Sequence, residues 1–236
     1  MGNIKMRIDA LSWPSVTSEM DARGYALIAG ILSPDECDAV VRDYGKDELY
    51  RKTISMERYR FGAGEYKYFA YPLPGMIQEM RENIYPRLAP VANGWMRSLH
   101  IGTEFPDSFR ELQRRCHASH QDKPTVLILK YGAGGHNTLH QDLYGAIFFP
   151  IQLVLFLSEP DRDYTGGEFV LTQQTPRAQS KAIVLKPRKG DMLLFTTNFR
   201  PVKGTKGYYR ANMKHGVSEL HGGERYTLGI IFHDGL

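Results

Sequence analysis

The chain has 236 residues, of which 42% are apolar, 11% aromatic and 24% charged, a composition that suits one folded domain and excludes disordered and fibrous classes. Its longest apolar run, Ala146 to Leu157, is broken by Pro150 and Gln152 and is too short for a spanning helix, so no membrane segment is expected. The net charge of +4 is unevenly spread. Ten basic residues between Arg177 and Lys214 (Arg177, Lys181, Lys186, Arg188, Lys189, Arg200, Lys203, Lys206, Arg210, Lys214) face one acid, Asp191, so that stretch carries +9 and the remainder −5. Such a one-sided field suits an anionic partner such as nucleic acid, or else a solvated set of lysine-rich strand edges and loops.

The N-terminus has no basic stretch followed by an apolar core and no myristoylation pattern, which predicts a cytoplasmic protein. Gly24 to Ala29 reads as a short buried strand. Ser33-Pro34-Asp35-Glu36 combines a hydroxyl cap, a first-turn proline and a glutamate three residues on, which marks a helix start. From Pro74 to His100 the apolar spacing is helical, with Pro86 and Pro90 expected to kink or split the run, and a second helix is expected over Asp107 to His117. Cys37 and Cys116 are too few for a disulfide framework or zinc knuckle and are expected to be buried, reduced thiols.

After Pro124 the texture changes to short β-rich runs at Thr125–Tyr131, Ile151–Ser158, Gly167–Leu171, Ala182–Leu185, Met192–Thr196, His215–Glu219 and Arg225–Phe232, separated by turn residues. Helices followed by this many strands predict an α+β chain: residues 1–123 as a helical and β support region, residues 124–236 as a β core, together one compact unit.

The candidate chemistry lies in that core. His140 and Asp142 are two apart, so on a strand they share a face and can hold one ion while Gln141 points away. His215 begins a later strand and Arg225 opens the last one. Two imidazoles and a carboxylate are the facial set of non-haem Fe(II) oxygenases, which leave other positions open. His136 and His140 are also four apart, as in a helical zinc motif, but Gly134-Gly135 opposes a helix and Asn137 stands where the motif needs a glutamate. His117 and His120 are expected at the surface or as caps. His233 and Asp234 are adjacent, so on a strand they would face opposite ways.

His140, Asp142, His215 and Arg225, in this order, resemble the 2-oxoglutarate/Fe(II)-dependent dioxygenase superfamily. The resemblance implies a double-stranded β-helix (jelly-roll), Fe(II) held by His140, Asp142 and His215, and 2-oxoglutarate and O2 as cosubstrates. Arg225 would pair with the distal carboxylate of 2-oxoglutarate, Thr227 resembles the hydroxyl partner of an Arg-x-Ser motif, and Tyr131 resembles a cosubstrate-contacting tyrosine of prolyl hydroxylases. Further segments, including His140-Gln141-Asp142-Leu143-Tyr144-Gly145, Gly166-Gly167-Glu168-Phe169 and Arg200-Pro201-Val202-Lys203-Gly204, resemble a bacterial branch proposed to act on damaged nucleic acid. Implied is decarboxylation of 2-oxoglutarate coupled to C–H hydroxylation, with oxidative demethylation of alkylated bases in single-stranded or damaged nucleic acid as one outcome. A protein (prolyl-type) hydroxylase and a non-catalytic metal-binding β-barrel are the alternatives. Between Arg51 and Tyr71, Tyr59, Phe61, Tyr66, Tyr68, Phe69 and Tyr71 alternate with Arg51, Lys52, Arg58, Arg60 and Lys67, which suits stacked bases and phosphates or a hairpin packed over the core.

Overall fold

In the computed structural model, which describes residues 4–236, the Ser33 hydroxyl accepts from the Glu36 N–H and the Glu36 carboxylate accepts from the Ser33 N–H. The predicted capping box therefore forms and starts a helix at Pro34. In chain order the first half contains α1 (Ile4–Asp9), α2 (Trp13–Arg23), β1 (Tyr25–Ile28), α3 (Pro34–Arg42), β2 (Tyr50–Ser55), β3 (Gly62–Ala63), β4 (Glu65–Phe69), α4 (Gly75–Ser98) and α5 (Phe109–Ala118). The strands β5 (Leu127–Tyr131), β6 (His136–His140), β7 (Ile151–Phe156), β8 (Tyr164–Gly166), β9 (Phe169–Gln174) and β10 (Lys181–Leu185) come next. They are followed by β11 (Met192–Thr196), β12 (Phe199–Gly204), β13 (Gly207–Val217), β14 (Leu220–Gly223) and β15 (Arg225–Ile230).

Pro86 and Pro90 do not split their segment; both lie inside the single 24-residue helix α4. Its stripe of Ile77, Met80, Ile84, Leu88, Val91, Ala92 and Trp95 is buried in the main core. Tertiary packing of that stripe outweighs the hydrogen bonds the two prolines remove.

Two antiparallel sheets stack to form the double-stranded β-helix core. The larger has the order β1-β11-β7-β15-β5-β4-β2, and the smaller has β10-β9-β13-β6-β3 with β12 added to β13. Strand β7 is buried along its whole length, and its alternation sorts its side chains. Ile151, Leu153 and Leu155 join the core beneath the helices, while Val154 and Phe156 pack between the sheets against Phe169 and Leu171. The N-terminal helices thus brace the outer face of the larger sheet and leave its inner face to the cleft.

Residues before 124 give more than helices: β1, β2 and β4 are strands of the larger sheet, and β3 pairs with β6 in the smaller. The strand expected from His215 begins earlier, at Gly207, and pairs with Phe199–Gly204 as the β12–β13 hairpin. The hairpin forms because alternate residues of β13, Ala211, Met213 and His215, are buried while Arg210, Asn212 and Lys214 face solvent. No helix among the described residues is long and apolar enough to cross a membrane.

Candidate metal centre and cosubstrate pocket

Register brings the predicted residues to one cavity. On the larger sheet Arg225 of β15 pairs with Tyr131 of β5, and Thr227 pairs with Leu129 and Phe156. Alternation then puts Arg225, Thr227, Leu129 and Tyr131 on the inner face, continued by Tyr66 and Tyr68 of β4. Opposite them, His215 of β13 pairs with His140 of β6. A bulge follows His215, and Gly216 permits it: a Cβ there would lie 2.6 Å from the Asn137 carbonyl oxygen. These side chains, with Asp142, Gln152, Val154, Phe169 and Phe195, line a cavity of about 240 Å³.

Strand β6 ends at His140, so Asp142 lies in the segment after it rather than on the same strand. Gln141 explains the departure: its amide donates to the carbonyls of Asn198 and Met213, at 3.1 and 2.8 Å, and turns the chain inward past the hairpin. Even so, the ligand-capable atoms of His140, Asp142 and His215 all lie within 4.8 Å of one another. His215 Nε2 is 3.2 Å from one carboxylate oxygen of Asp142 and His140 Nε2 is 3.6 Å from the other.

Protonation and surroundings of the donor set both suit a first-row metal. Burial would raise the Asp142 carboxyl, but His215, His140 and Gln152 beside it outweigh that and hold it far below the usual carboxylate range. Burial, then the neighbouring His140, lowers His215. Both shifts favour a charged carboxylate and a neutral imidazole, the forms that bind metal. His140 Nδ1 is 2.7 Å from the Thr138 carbonyl, which suits donation from that nitrogen and leaves Nε2 turned to the cluster. These residues fit Fe(II).

Two residues that sequence reasoning did not single out hold the carboxylate. Tyr144 donates its hydroxyl to Asp142 Oδ1 and Gln152 donates its amide to Oδ2, each at 2.8 Å. Gln152 had a signal in the sequence, a lone amide in an apolar strand and in phase with Val154 and Phe156. Tyr144 had only its closeness to Asp142.

The Arg225 guanidinium is buried, and its Nε and Nη1 have no hydrogen-bond partner. Tyr131, Phe156 and Tyr164 flank it, with ring centroids 5.6, 5.6 and 5.8 Å from Cζ. Tyr131 accepts from the Asn137 amide at 3.3 Å, and burial pushes its phenol up to about 12, so it keeps its own hydrogen to donate into the cavity. Thr227 is buried and faces the same space.

His117 and His120 are exposed, as expected. His136 stays outside the cluster. His117 lies 3.0 Å from Asp234. His233 and Asp234 are both buried: Asp234 accepts from Arg81 and Tyr71, while His233 Nδ1 accepts from the Phe149 N–H. They lie past the end of β15, where strand alternation no longer applies.

Comparison with known proteins agrees with this geometry. A family described as oxygenases catalysing oxidative methylation of damaged DNA matches residues 64–235. Uncharacterized proteins from two strains of Mycobacterium tuberculosis are 44% identical over 234 residues, covering 99% of this chain and 95% of theirs. Among solved structures, a prolyl-4-hydroxylase from Pseudomonas putida superposes with a TM-score of 0.57 at 14% identity, covering 94% of this chain and 98% of its own. An oxidoreductase of the 2-oxoglutarate-Fe(II) oxygenase family from Burkholderia pseudomallei gives 0.54 at 13% identity, covering 96% and 94%. At such identities these two likenesses are of fold alone. The family match spans most of the chain and carries the assignment: this protein belongs to that oxygenase family and is an Fe(II)- and 2-oxoglutarate-dependent dioxygenase.

Proposed function

We propose that His140, Asp142 and His215 hold the Fe(II), that Arg225, Thr227 and Tyr131 bind 2-oxoglutarate, and that the enzyme removes methyl groups from alkylated nucleic acid bases. The buried Arg225 guanidinium, whose Nε and Nη1 have no hydrogen-bond partner and which no acid among the described residues pairs with, carries the cosubstrate half. A buried cation without an anion is costly, and the distal carboxylate of 2-oxoglutarate, accepting from one edge of the guanidinium, would supply that anion. Bound iron supplies the redox chemistry that couples 2-oxoglutarate decarboxylation to insertion of one oxygen atom into a C–H bond.

The protein contributes orientation and dryness. Tyr144 and Gln152 keep the Asp142 carboxylate aimed, Tyr131 stays protonated as a donor, and Val154, Phe169 and Phe195 exclude water from the wall behind His215. If the oxidised carbon is a methyl on a base nitrogen, the hydroxymethyl product loses formaldehyde and the nitrogen regains its hydrogen.

Two observations support the substrate class. The family's own description names damaged DNA. In the basic segment Lys186 and Lys189 pair with Asp161 and Asp38, and Arg200 is buried against the Asp21 carbonyl and Gln173. Arg177, Lys181, Arg188, Lys203, Lys206, Arg210 and Lys214 are exposed, and no acidic side chain among the described residues pairs with them. That leaves a free cationic surface for phosphates. We read residues 124–236 as the catalytic core and 1–123 as its support within one compact unit, since every proposed ligand lies in the former. A cytoplasmic location accords with Cys37 and Cys116 as buried free thiols.

The test supplies anaerobically purified protein with Fe(II), 2-oxoglutarate and O2, together with N-methylated single-stranded DNA, RNA or peptides. Formaldehyde released in step with succinate, and only with methylated oligonucleotide, is the expected result. Peptides that gain one oxygen, with no formaldehyde from any oligonucleotide, would transfer the enzyme to the protein hydroxylases.

A further inference from the structure

The aromatic and basic stretch from Arg51 to Tyr71 divides into two groups with different surroundings. Tyr66 and Tyr68 line the cavity, and Phe69 is buried in the main core. Tyr59 and Phe61, at the tip of the β2–β4 hairpin, are instead 46% exposed each, although large aromatics are usually covered.

Their arrangement is fixed. The two rings stack with centroids 5.5 Å apart and planes 17° from parallel. Met56, fully buried, anchors the tip, and its carbonyl accepts from the N–H groups of both Tyr59 and Phe61. The Phe61 carbonyl accepts from both the N–H and the hydroxyl of Thr138 on β6, which ties the tip to the strand that ends at His140. Phe61 also lines the cavity while remaining exposed, as does Leu143, which puts both at its mouth. The pair therefore runs outward from the entrance of the site.

Charge around the pair is cationic. Arg58 and Arg60 are exposed, with the Arg58 guanidinium 5.9 Å from the Tyr59 ring centroid. The neighbouring acid, Glu57, has its oxygens taken by the Ser55 hydroxyl and the Gly64 N–H. Two ordered aromatic faces with flanking guanidiniums match an unpaired base and the phosphates on either side of it.

We propose that Tyr59 and Phe61 form a stacking platform for the base next to the one being oxidised, holding single-stranded nucleic acid at the entrance while the target base enters the cavity. This rests on the nucleic-acid reading above. Stacking on such a platform tolerates any base, because every base has a π-face. The platform thus sets strand state, unpaired rather than duplex, and leaves the choice of target to the cavity.

The test uses the 236-residue chain and a single-stranded oligonucleotide carrying 2-aminopurine beside one N-methylated base, with 2-oxoglutarate omitted. Anisotropy gives affinity and 2-aminopurine fluorescence gives stacking. Tyr59→Leu/Phe61→Leu keeps apolar bulk and removes the rings, and its thermal midpoint verifies folding. The wild type is expected to quench the probe; the variant is expected to lose the quenching and bind roughly tenfold to a hundredfold more weakly. If both proteins bind the strand equally and quench alike, the platform is overturned and the nucleic-acid reading stands. Absence of any salt-dependent binding by the wild type overturns both. Should the variant instead convert a dimer into a monomer, the pair is a self-association surface and the platform is again overturned.

Discussion

His140 and His215, 75 positions apart in the chain, sit directly opposite each other in the β6–β13 ladder with ring centroids 4.2 Å apart. Cross-strand pairing therefore builds two thirds of the candidate metal centre, and Asp142, turned in by the Gln141 hydrogen bonds, completes it. Replacing Asp142 by alanine removes the only carboxylate in the cluster and leaves two imidazoles. Calorimetry with Co(II) should show at least about 100-fold weaker binding, with succinate formation falling to background. Unchanged metal affinity would move the centre elsewhere.

Arg225 is expected to act on cosubstrate alone. Its planar fork can give two parallel donors to a carboxylate, which a lysine ammonium cannot. Arg225→Lys should raise the KM for 2-oxoglutarate about tenfold to a hundredfold while Co(II) affinity stays as in the wild type. A parallel loss of metal binding would show that Arg225 supports the fold of the site instead.

Tyr144 and Gln152 position the carboxylate without belonging to the proposed ligand set. Tyr144→Phe removes one donor to Asp142 and Gln152→Leu removes the other. Each should weaken Co(II) binding about tenfold, the low end for groups that orient a ligand, and both should alter the d–d absorption of the Co(II) protein. A spectrum identical to the wild type would leave the two as packing residues.

His233 should make the fold acid-sensitive. Burial lowers its imidazole from the usual value to about 4, with Nδ1 accepting from Phe149 and Nε2 left without a partner. The folded state thus binds this proton less readily than the unfolded chain. Stability from the neutral ring is fully present above pH 6.5 and is lost as pH falls toward 4, amounting to about 3 kcal/mol across the window. His233→Asn keeps an acceptor for the Phe149 N–H and does not titrate. In urea unfolding the variant should lose less stability than the wild type between pH 7 and pH 5; equal losses would place the acid sensitivity elsewhere.

The C-terminal segment is tied down by charge. Arg81 and Asp234 are both fully buried and 2.8 Å apart, and Tyr71, Gln113 and His117 also reach the carboxylate. Arg81→Met leaves that carboxylate without its cation and should cost about 3 kcal/mol of unfolding free energy. Adding Asp234→Asn should recover part of the loss, because the remaining group is then neutral.

The chemistry and the class of fold were readable from the order of residues along the chain. His140, Asp142, His215 and Arg225 were legible through their resemblance, in order and spacing, to the 2-oxoglutarate/Fe(II) dioxygenases, and the capped helix at Ser33 and the apolar strand cores because periodicity is a local property. Which polar residues meet was not readable there. The pairing of Arg225 with Tyr131, the two hydrogen bonds on Asp142 and the hairpin hidden in the basic segment depend on register between strands far apart in sequence, and a one-residue slip would reverse every face. The aromatic stretch from Arg51 to Tyr71 shows the same division. Composition presents six similar rings; only the turn at Met56 and the hydrogen bonds between Phe61 and β6 set the stacked Tyr59–Phe61 pair apart from Phe69 in the core and from Tyr66 and Tyr68 inside the cavity.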